Sequence, residues 1–562
     1  MIEDLIAQRA DEPGLAVSVI RGPDVAARHC VGLASLAHGT PIGPDTRFHI
    51  VSVSKTFTAA AVLLLAARGA LGLDDDVRQH IPELSPEICR HGTVTVCHLL
   101  SMTSGLRDVL EIERLRGIWQ TAPSRARDLL ELAFRQTAVS APAGAQYMYA
   151  NVNFVLLDEL IGRVTGMPAE AFRRAALYEP LGLTATGARP HDGVVVPDLA
   201  EPYVPDGMGG WSRATNLLGI AADTLTTSLG DLTRWVLALR SGAVGGADIG
   251  TAMAERSRLR DGTPVYYGLG LAVRRYRGLT VLCHTGSQPG YKAHIAYVPE
   301  RDLGLSILSN REDTRPAPLA AAIMDRVIGH DSPKAHPARR LGEPGITAAQ
   351  ITAIEGSYVD LETGEWVALG LEDGVLHGET LGDPFFLYPE GRGVFRDGED
   401  YRATVPVELR IECDHDDVTC RLSLGGQTMT LLKRDPPGHT PEALAAFVGT
   451  YENSEIASRH RIRLEGHELI IDYGLGGDGG LAFAMEPIAR DAFLVRPTAP
   501  GIAYRHLFRF ERDPAGRVVS AVVTMERLKN VQLLRTLGET NRGMKTPSSD
   551  TGAMSEHAEG LT

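Results

Sequence analysis

Ser52 and Lys55 stand three positions apart at the head of a long apolar run, 48-FHIVSVSKTFTAAAVLLLAARGAL-71. On a helix, positions i and i+3 share a face, so the hydroxyl would sit beside the amine. The first amides of a helix lack intrahelical partners and can stabilise a developing oxyanion. Poor solvation and the positive helix end both disfavour the ammonium form, which suits Lys55 to take a proton from the serine. In isolation an S-x-x-K has a plainer reading, an N-cap serine followed by a surface lysine. Ser54 is the poorer nucleophile, because no lysine follows it at the same spacing.

Further segments supply groups that this chemistry needs. In 147-YMYANVNFVLLDELIGRVTG-166, Tyr149 and Asn151 precede an amphipathic helix. A phenol can relay a proton between nucleophile and leaving group, and an amide can orient both substrate and lysine. The plainer reading is a half-buried tyrosine and an Asn N-cap. In 283-CHTGSQPGY-291, His284, Thr285 and Gly286 end an apolar strand whose edge can hydrogen-bond an extended substrate, the glycine allowing close approach. A neutral loop histidine is the default for His284 alone, and a surface lysine is the default for Lys292 on the next strand. The stretches 98-HLLSMTSGLRD-108 and 222-ADTLTTSLGDLTRW-235 pair loops with helix starts and serve as scaffold.

The elements that must position these residues follow from periodicity. Leu15–Arg21 and Val25–Leu33 form a hairpin, helical patterns occupy 55–68, 124–136, 151–165 and 229–240, and strand patterns return at 265–276, 278–284, 292–298 and 303–309. Strands at both ends with helices between predict an α/β (α+β) unit over 1–330, its antiparallel sheet closed by the two ends. A Pro/Gly/Arg-rich linker spans 331–345. The remainder shows short alternating strands and an internal repeat: ITAIEGSYVD at 351–360 matches LAAFVGTYEN at 444–453, aligning Gly356 with Gly449 and Tyr358 with Tyr451. Two small antiparallel β-barrels are predicted, 346–438 and 439–536, followed by a disordered polar tail at 537–562.

Composition narrows the function. A formal charge of -14 argues against a nucleic-acid or anionic-membrane partner, since both need clustered basic charge. The six cysteines are scattered, without a CxxC pair, and predict reduced, mostly buried thiols; no metal site or cofactor is expected. The acidic N-terminus lacks a signal-peptide pattern, and the apolar run from Phe57 to Ala67 is too short to span a bilayer, which predicts a cytoplasmic protein.

In order and spacing, S-x-x-K at 52–55, Y-x-N at 149–151 and H-x-G at 284–286 resemble the serine β-lactamase and penicillin-binding protein superfamily, class C-like branch. The resemblance covers about residues 1–330. It implies a sheet flanked by helices, Ser52 as the acylated nucleophile with an oxyanion donor at its own amide, and Lys55 and Tyr149 as acid/base groups. The residue types leave open which of those two takes the serine proton. Many members carry a lysine where His284 stands, and a mostly neutral imidazole weakens the case for β-lactams and for substrates with a C-terminal carboxylate.

With two barrels behind the catalytic unit, the chain looks like the bacterial D-aminopeptidases of that superfamily. This implies release of an N-terminal D-residue from peptides, amides or esters, with no cofactor. In such proteins a loop of the last barrel limits access to the cleft; the resemblance implies that 472-DYGLGGDGG-480 is that loop and that Asp478 pairs the substrate ammonium. The plainer reading is a hairpin tip with a solvated Asp. The partner expected is a small peptide or amino-acid amide, and a homodimer is compatible. Two other readings stay open: a broad esterase or DD-peptidase with the same machinery, and a sensor that is acylated without turnover.

Overall fold

The computed structural model describes residues 2–328 and 354–536, apart from 7–9, 119–125, 190–192, 215–224, 245–246, 361–362, 373–374, 382–383, 392, 398–406, 415–416, 425–426, 435–437, 475–480 and 497–504. The linker at 331–345, the tail at 537–562 and Asp478 lie outside the described residues.

The first half is built on a six-stranded antiparallel sheet. Its strands are β1 (Leu15–Arg21), β2 (Asp24–Val31), β3 (Ala272–Tyr276), β4 (Leu279–Gln288), β5 (Tyr291–Val298) and β6 (Leu303–Ser309), in the spatial order β3-β4-β5-β6-β1-β2. The ends of this unit meet where Leu15 pairs with Ser309 and Val17 with Ile307, so the sheet is closed by its first and last strands as the pattern predicts. Around it pack α1 (Ser54–Ala67), α2 (Val109–Leu115), α3 (Val152–Thr165), α4 (Leu229–Ser241) and α5 (Pro316–Ile328).

α1 is apolar on every face and accordingly buried from Ser54 to Leu65. Its few polar side chains are all engaged. Trp235 on α4 donates from Nε1 to Thr56 Oγ1 at 2.9 Å, and its ring stacks on Phe57 with centroids 4.0 Å apart. On the other side, Thr58 donates to Asp158 of α3 at 3.0 Å, and Asp158 forms a buried ion pair with Arg173. These contacts fix the helix in rotation as well as depth.

Two strand expectations shift. The pattern at 265–276 forms a strand only from Ala272, because Gly268 and Gly270 turn the chain against α1; Gly270 has φ +88°, and a Cβ there would lie 2.3 Å from that of Ala59. Conversely, β4 continues through the H-x-G motif to Gln288, held by pairing of Thr285 with His294 and Gly286 with Ala293.

The second half forms two closed eight-stranded barrels, the first running from Gly356–Val359 to Gln427–Arg434, the second from Gly449–Asn453 to Leu528–Thr536. The internal repeat has a structural counterpart. Tyr358 donates its hydroxyl to Ile354 O at 2.8 Å, Tyr451 does the same to Phe447 O at 2.8 Å, and both rings are fully buried. Each tyrosine lies on the strand that closes its barrel, opposite Lys433 and Arg535 respectively. Among the described residues no helix is long and apolar enough to cross a membrane. None of Cys30, Cys89, Cys97, Cys283 and Cys420 is in a disulfide; Cys283 and Cys420 are buried and the other three only half-buried, a less buried set than expected.

Candidate active site

Strand pairing sets the approach to Ser52. Phe48 pairs with Thr227 and the Ile50 amide donates to Leu225 O at 3.0 Å, so 225–228 guides the chain into a single turn of 3-10 helix, Val51–Val53, ahead of α1. Val51 sits at φ +48°, a backbone region that β-branched residues rarely enter, and its amide donates to His49 Nδ1 at 3.3 Å. Strain immediately before Ser52 turns that residue out of the strand direction and toward the sheet.

Lys55 has no exposed surface. Its Nζ lies 3.1 Å from Ser52 Oγ, 5.5 Å from the centre of the Tyr149 ring and 5.8 Å from that of Phe154. The surface-lysine reading of the motif is therefore excluded: the amine is enclosed by aromatic faces and a hydroxyl. Asn151 is buried and its side chain makes no capping bond to α3, which excludes the N-cap reading as well. Its backbone amide donates instead to Asp108, whose carboxylate also caps α2 by accepting from Leu110 and Glu111. The 98–108 scaffold holds this loop by backbone bonds, Met148 to Met102 O at 2.9 Å and Gly144 to Thr103 O at 2.7 Å.

His284 is buried at the far wall. Its Nδ1 faces Thr285 O at 3.0 Å, and a carbonyl can only accept, so Nδ1 carries the proton and Nε2 accepts from the Tyr267 hydroxyl at 3.0 Å. Burial, followed by the positive charge of Lys55, holds its pKa down at about 3, which keeps the imidazole neutral. Gly286 closes the gap between sheet and helix: a Cβ there would lie 2.2 Å from Ile50 O and 3.1 Å from the Ser52 amide nitrogen. β3 pairs with β4 only as far as Cys283, which leaves the edge from His284 to Gln288 facing Ser52. Lys292 is not a surface lysine. It is buried, paired with Glu312 at 2.9 Å, and donates to Ser287 Oγ at 2.8 Å, bracing the motif strand from the next one.

Ser52, Lys55, Tyr149, His284 and Gly286 are thus brought to one place, with Asn151 two residues beyond Tyr149 on the same loop. Several neighbours carry no motif of their own. Tyr267 packs edge-on against both Tyr149 and His284, with ring centroids 6.5 Å and 5.9 Å away, and those two rings lie 6.4 Å from each other. From the second barrel, a two-residue hairpin between Met525 and Leu528 reaches the motif loop: Arg527 O accepts from the Asp108 amide at 3.0 Å, and the Arg527 guanidinium lies 4.9 Å from the Tyr149 ring centre. The stem of the 472–480 loop also meets the catalytic unit, since a Cβ on Gly117 would be 2.8 Å from the Gly474 nitrogen.

Residues 2–327, more than half of the chain, match the beta-lactamase family. The chain belongs to that family. Among curated relatives, the D-aminopeptidase of Cereibacter sphaeroides is 26% identical over 474 residues, covering 83% of this chain and 82% of the relative. The D-aminopeptidase of Gluconobacter oxydans is 25% identical over 357 residues, 63% of this chain and 64% of its own. Among solved structures, the octameric penicillin-binding protein homologue from Pyrococcus abyssi superposes with a TM-score of 0.54 at 21% identity, over 84% of this chain and 96% of that one. The D-amino acid amidase from Ochrobactrum anthropi, complexed with D-phenylalanine, gives 0.50 at 21% identity, over 58% and 96%. These structural likenesses concern the fold.

Two predictions follow from the geometry. Gly286→Ala should slow labelling of Ser52 by a fluorophosphonate probe at least about 100-fold, since displacement near 1 Å at a reacting centre costs that much; labelling within about threefold of wild type in a folded variant would contradict it. The second concerns pH. His49, His284, His294, His460 and His506 are all buried with pKa held at about 3, below the unfolded value near 6.5. The neutral forms belong to the native state, so their contribution is complete above about pH 6.5 and is lost as pH falls toward 3. Melting temperature should drop steeply from pH 7 to 4.5, with net proton uptake on unfolding; a flat profile would contradict it.

Proposed function

We propose that this chain is a serine hydrolase that releases N-terminal D-amino acids from short peptides, amides and esters through an ester on Ser52. The observation that carries the proposal is the Ser52–Lys55 contact of 3.1 Å, made by a fully buried lysine. The Ser52 oxygen attacks the scissile carbonyl, and its proton passes through the Lys55–Tyr149 pair to the departing amine. Water then takes the place of the amine and hydrolyses the ester by the reverse route. The Ser52 amide supplies an oxyanion donor, Asn151 orients substrate and lysine, and the edge at Gly286 aligns the substrate backbone.

His284 acts here as a neutral acceptor that holds Tyr267, not as a cation. The preference for a free amine rests on the D-aminopeptidase relatives, which align across both halves of the chain, with Asp478 as the proposed ammonium partner. The functional division is accordingly 1–330 for catalysis and 346–438 and 439–536 for the two barrels, the second of which borders the cleft. A broad esterase or DD-peptidase would use the same groups and differ only in the pocket walls.

Kinetics on matched substrates test the proposal. D-Alanine amide should be turned over at least about 100-fold faster than its L-isomer and than N-acetyl-D-alanine amide. Ser52→Ala should lower kcat by about a thousandfold or more, the usual scale for a lost nucleophile. Equal turnover of free and acetylated amides would remove the amine requirement, and full activity without the Ser52 hydroxyl would remove the mechanism.

A further inference from the structure

The phenol of the proton relay is located by contacts to its ring. Tyr149 is half-buried, and around its ring centre lie the Lys55 amine at 5.5 Å, the Tyr267 ring at 6.5 Å, the His284 ring at 6.4 Å and the Arg527 guanidinium at 4.9 Å. Arg527 is the nearest of these four, and it alone among them comes from outside the catalytic unit.

An arginine on a two-residue turn ordinarily samples solvent. This one is placed by the backbone on either side of it. Met525 and Leu528 pair across the turn and are fully buried, and an irregular register between Val523 and Met525 re-aims the strand just before it. The catalytic unit holds the hairpin at three points: the Asp108 amide donates to Arg527 O at 3.0 Å, the Lys529 amide to Ser140 Oγ at 3.1 Å, and Arg107 Nη2 to Asn530 O at 3.0 Å. The first barrel adds a fourth, Glu365 pairing with Lys529 Nζ at 2.6 Å. Glu526 holds one edge of the guanidinium at 3.3 Å, and the Arg527 side chain is only 19% exposed, so water and salt screen its charge weakly.

A cation over an aromatic ring is attracted by the ring's quadrupole, and the attraction grows as water is excluded. That contact fixes where the Tyr149 ring lies relative to Lys55. It acts on the chemistry as well. When the phenol hands its proton to the departing amine, negative charge gathers on the phenolic oxygen. A fixed positive group nearby stabilises that state more than the neutral ground state, which is the condition for accelerating a step.

We propose that Arg527 is a positioning residue for Tyr149, supplied to the active site by the second barrel: its charge holds the phenol beside Lys55 and stabilises it while it gives up its proton. The inference rests on the Ser52 mechanism above, in which Tyr149 relays the proton, and adds a residue to it. The second barrel then contributes to turnover as well as bordering the cleft.

The experiment compares full-length Arg527→Gln, Arg527→Lys and Arg527→Met with wild type. It measures kcat and KM separately on D-alanine p-nitroanilide, and the rate at which a fluorophosphonate labels Ser52. Arg517→Gln is the control, since Arg517 is 79% exposed on the turn at the other end of the same strand. Arg527→Gln should lower kcat and labelling at least about tenfold while KM stays within about threefold, because the charge acts on the reacting state rather than on binding. Arg527→Lys, which keeps the charge, should recover at least about threefold of that loss, and Arg517→Gln should match wild type. An unmoved kcat in Arg527→Gln, a loss confined to KM, a lysine variant no better than the glutamine one, or an equal loss in Arg517→Gln overturns the positioning role. Should Arg527→Gln fail to fold, Arg527→Met, which keeps the aliphatic stem, decides by the same numbers. Wild-type turnover with kcat unmoved in Arg527→Gln removes the role of Arg527 alone. If wild type hydrolyses no D-aminoacyl compound, the substrate reading falls, and Ser52 labelling still decides the role of Arg527.

Discussion

The structure depends on burying an amine. Lys55 has no exposed surface and is held 3.1 Å from the Ser52 hydroxyl, an arrangement that water would otherwise dissolve, since an ammonium pays heavily for desolvation. Much of the surrounding architecture makes that burial possible. α1 is enclosed along most of its length, Trp235 and Asp158 hold its two threonines, and Val51 takes a strained backbone to aim the serine. A helix free to rotate by one residue would break the contact, because neighbouring positions on a helix face different directions.

The second barrel is part of this arrangement rather than an appendage. Its hairpin accepts the Asp108 amide through Arg527 O, and Asp108 in turn holds the Asn151 amide. Arg107, Ser140 and Thr137 add contacts to Asn530, Lys529 and Glu455 of the same barrel. The motif loop carrying Tyr149 is therefore clamped between α2, the 98–108 scaffold and a neighbouring domain. The position of its phenol is set in part by that interface, through the Arg527 guanidinium beside the Tyr149 ring.

Much of this was readable in the sequence where a residue's chemistry and its local periodicity agree. Ser52, Lys55, Tyr149, His284 and Gly286 lie together as the motif order suggested, and the sheet closes through Leu15 and Ser309. The barrels followed from alternation and the Gly-x-Tyr repeat. What escaped was set by distant contacts. Tyr267 has no motif, and only the fold-back at Gly268 and Gly270 puts it against His284. Arg527 looks like an ordinary hairpin residue until its barrel docks. Lys292 resembled a surface lysine because its partner, Glu312, lies 20 residues away in sequence. Pairings of this kind leave no local period to detect.

The most direct test of the central claim is mass spectrometry of the protein quenched during turnover of a D-aminoacyl ester, followed by peptide mapping. A covalent acyl group on the peptide containing Ser52, absent from Ser52→Ala and depleted in Lys55→Ala, is the predicted result. An adduct on another residue, or its unchanged accumulation without the lysine amine, would contradict the account.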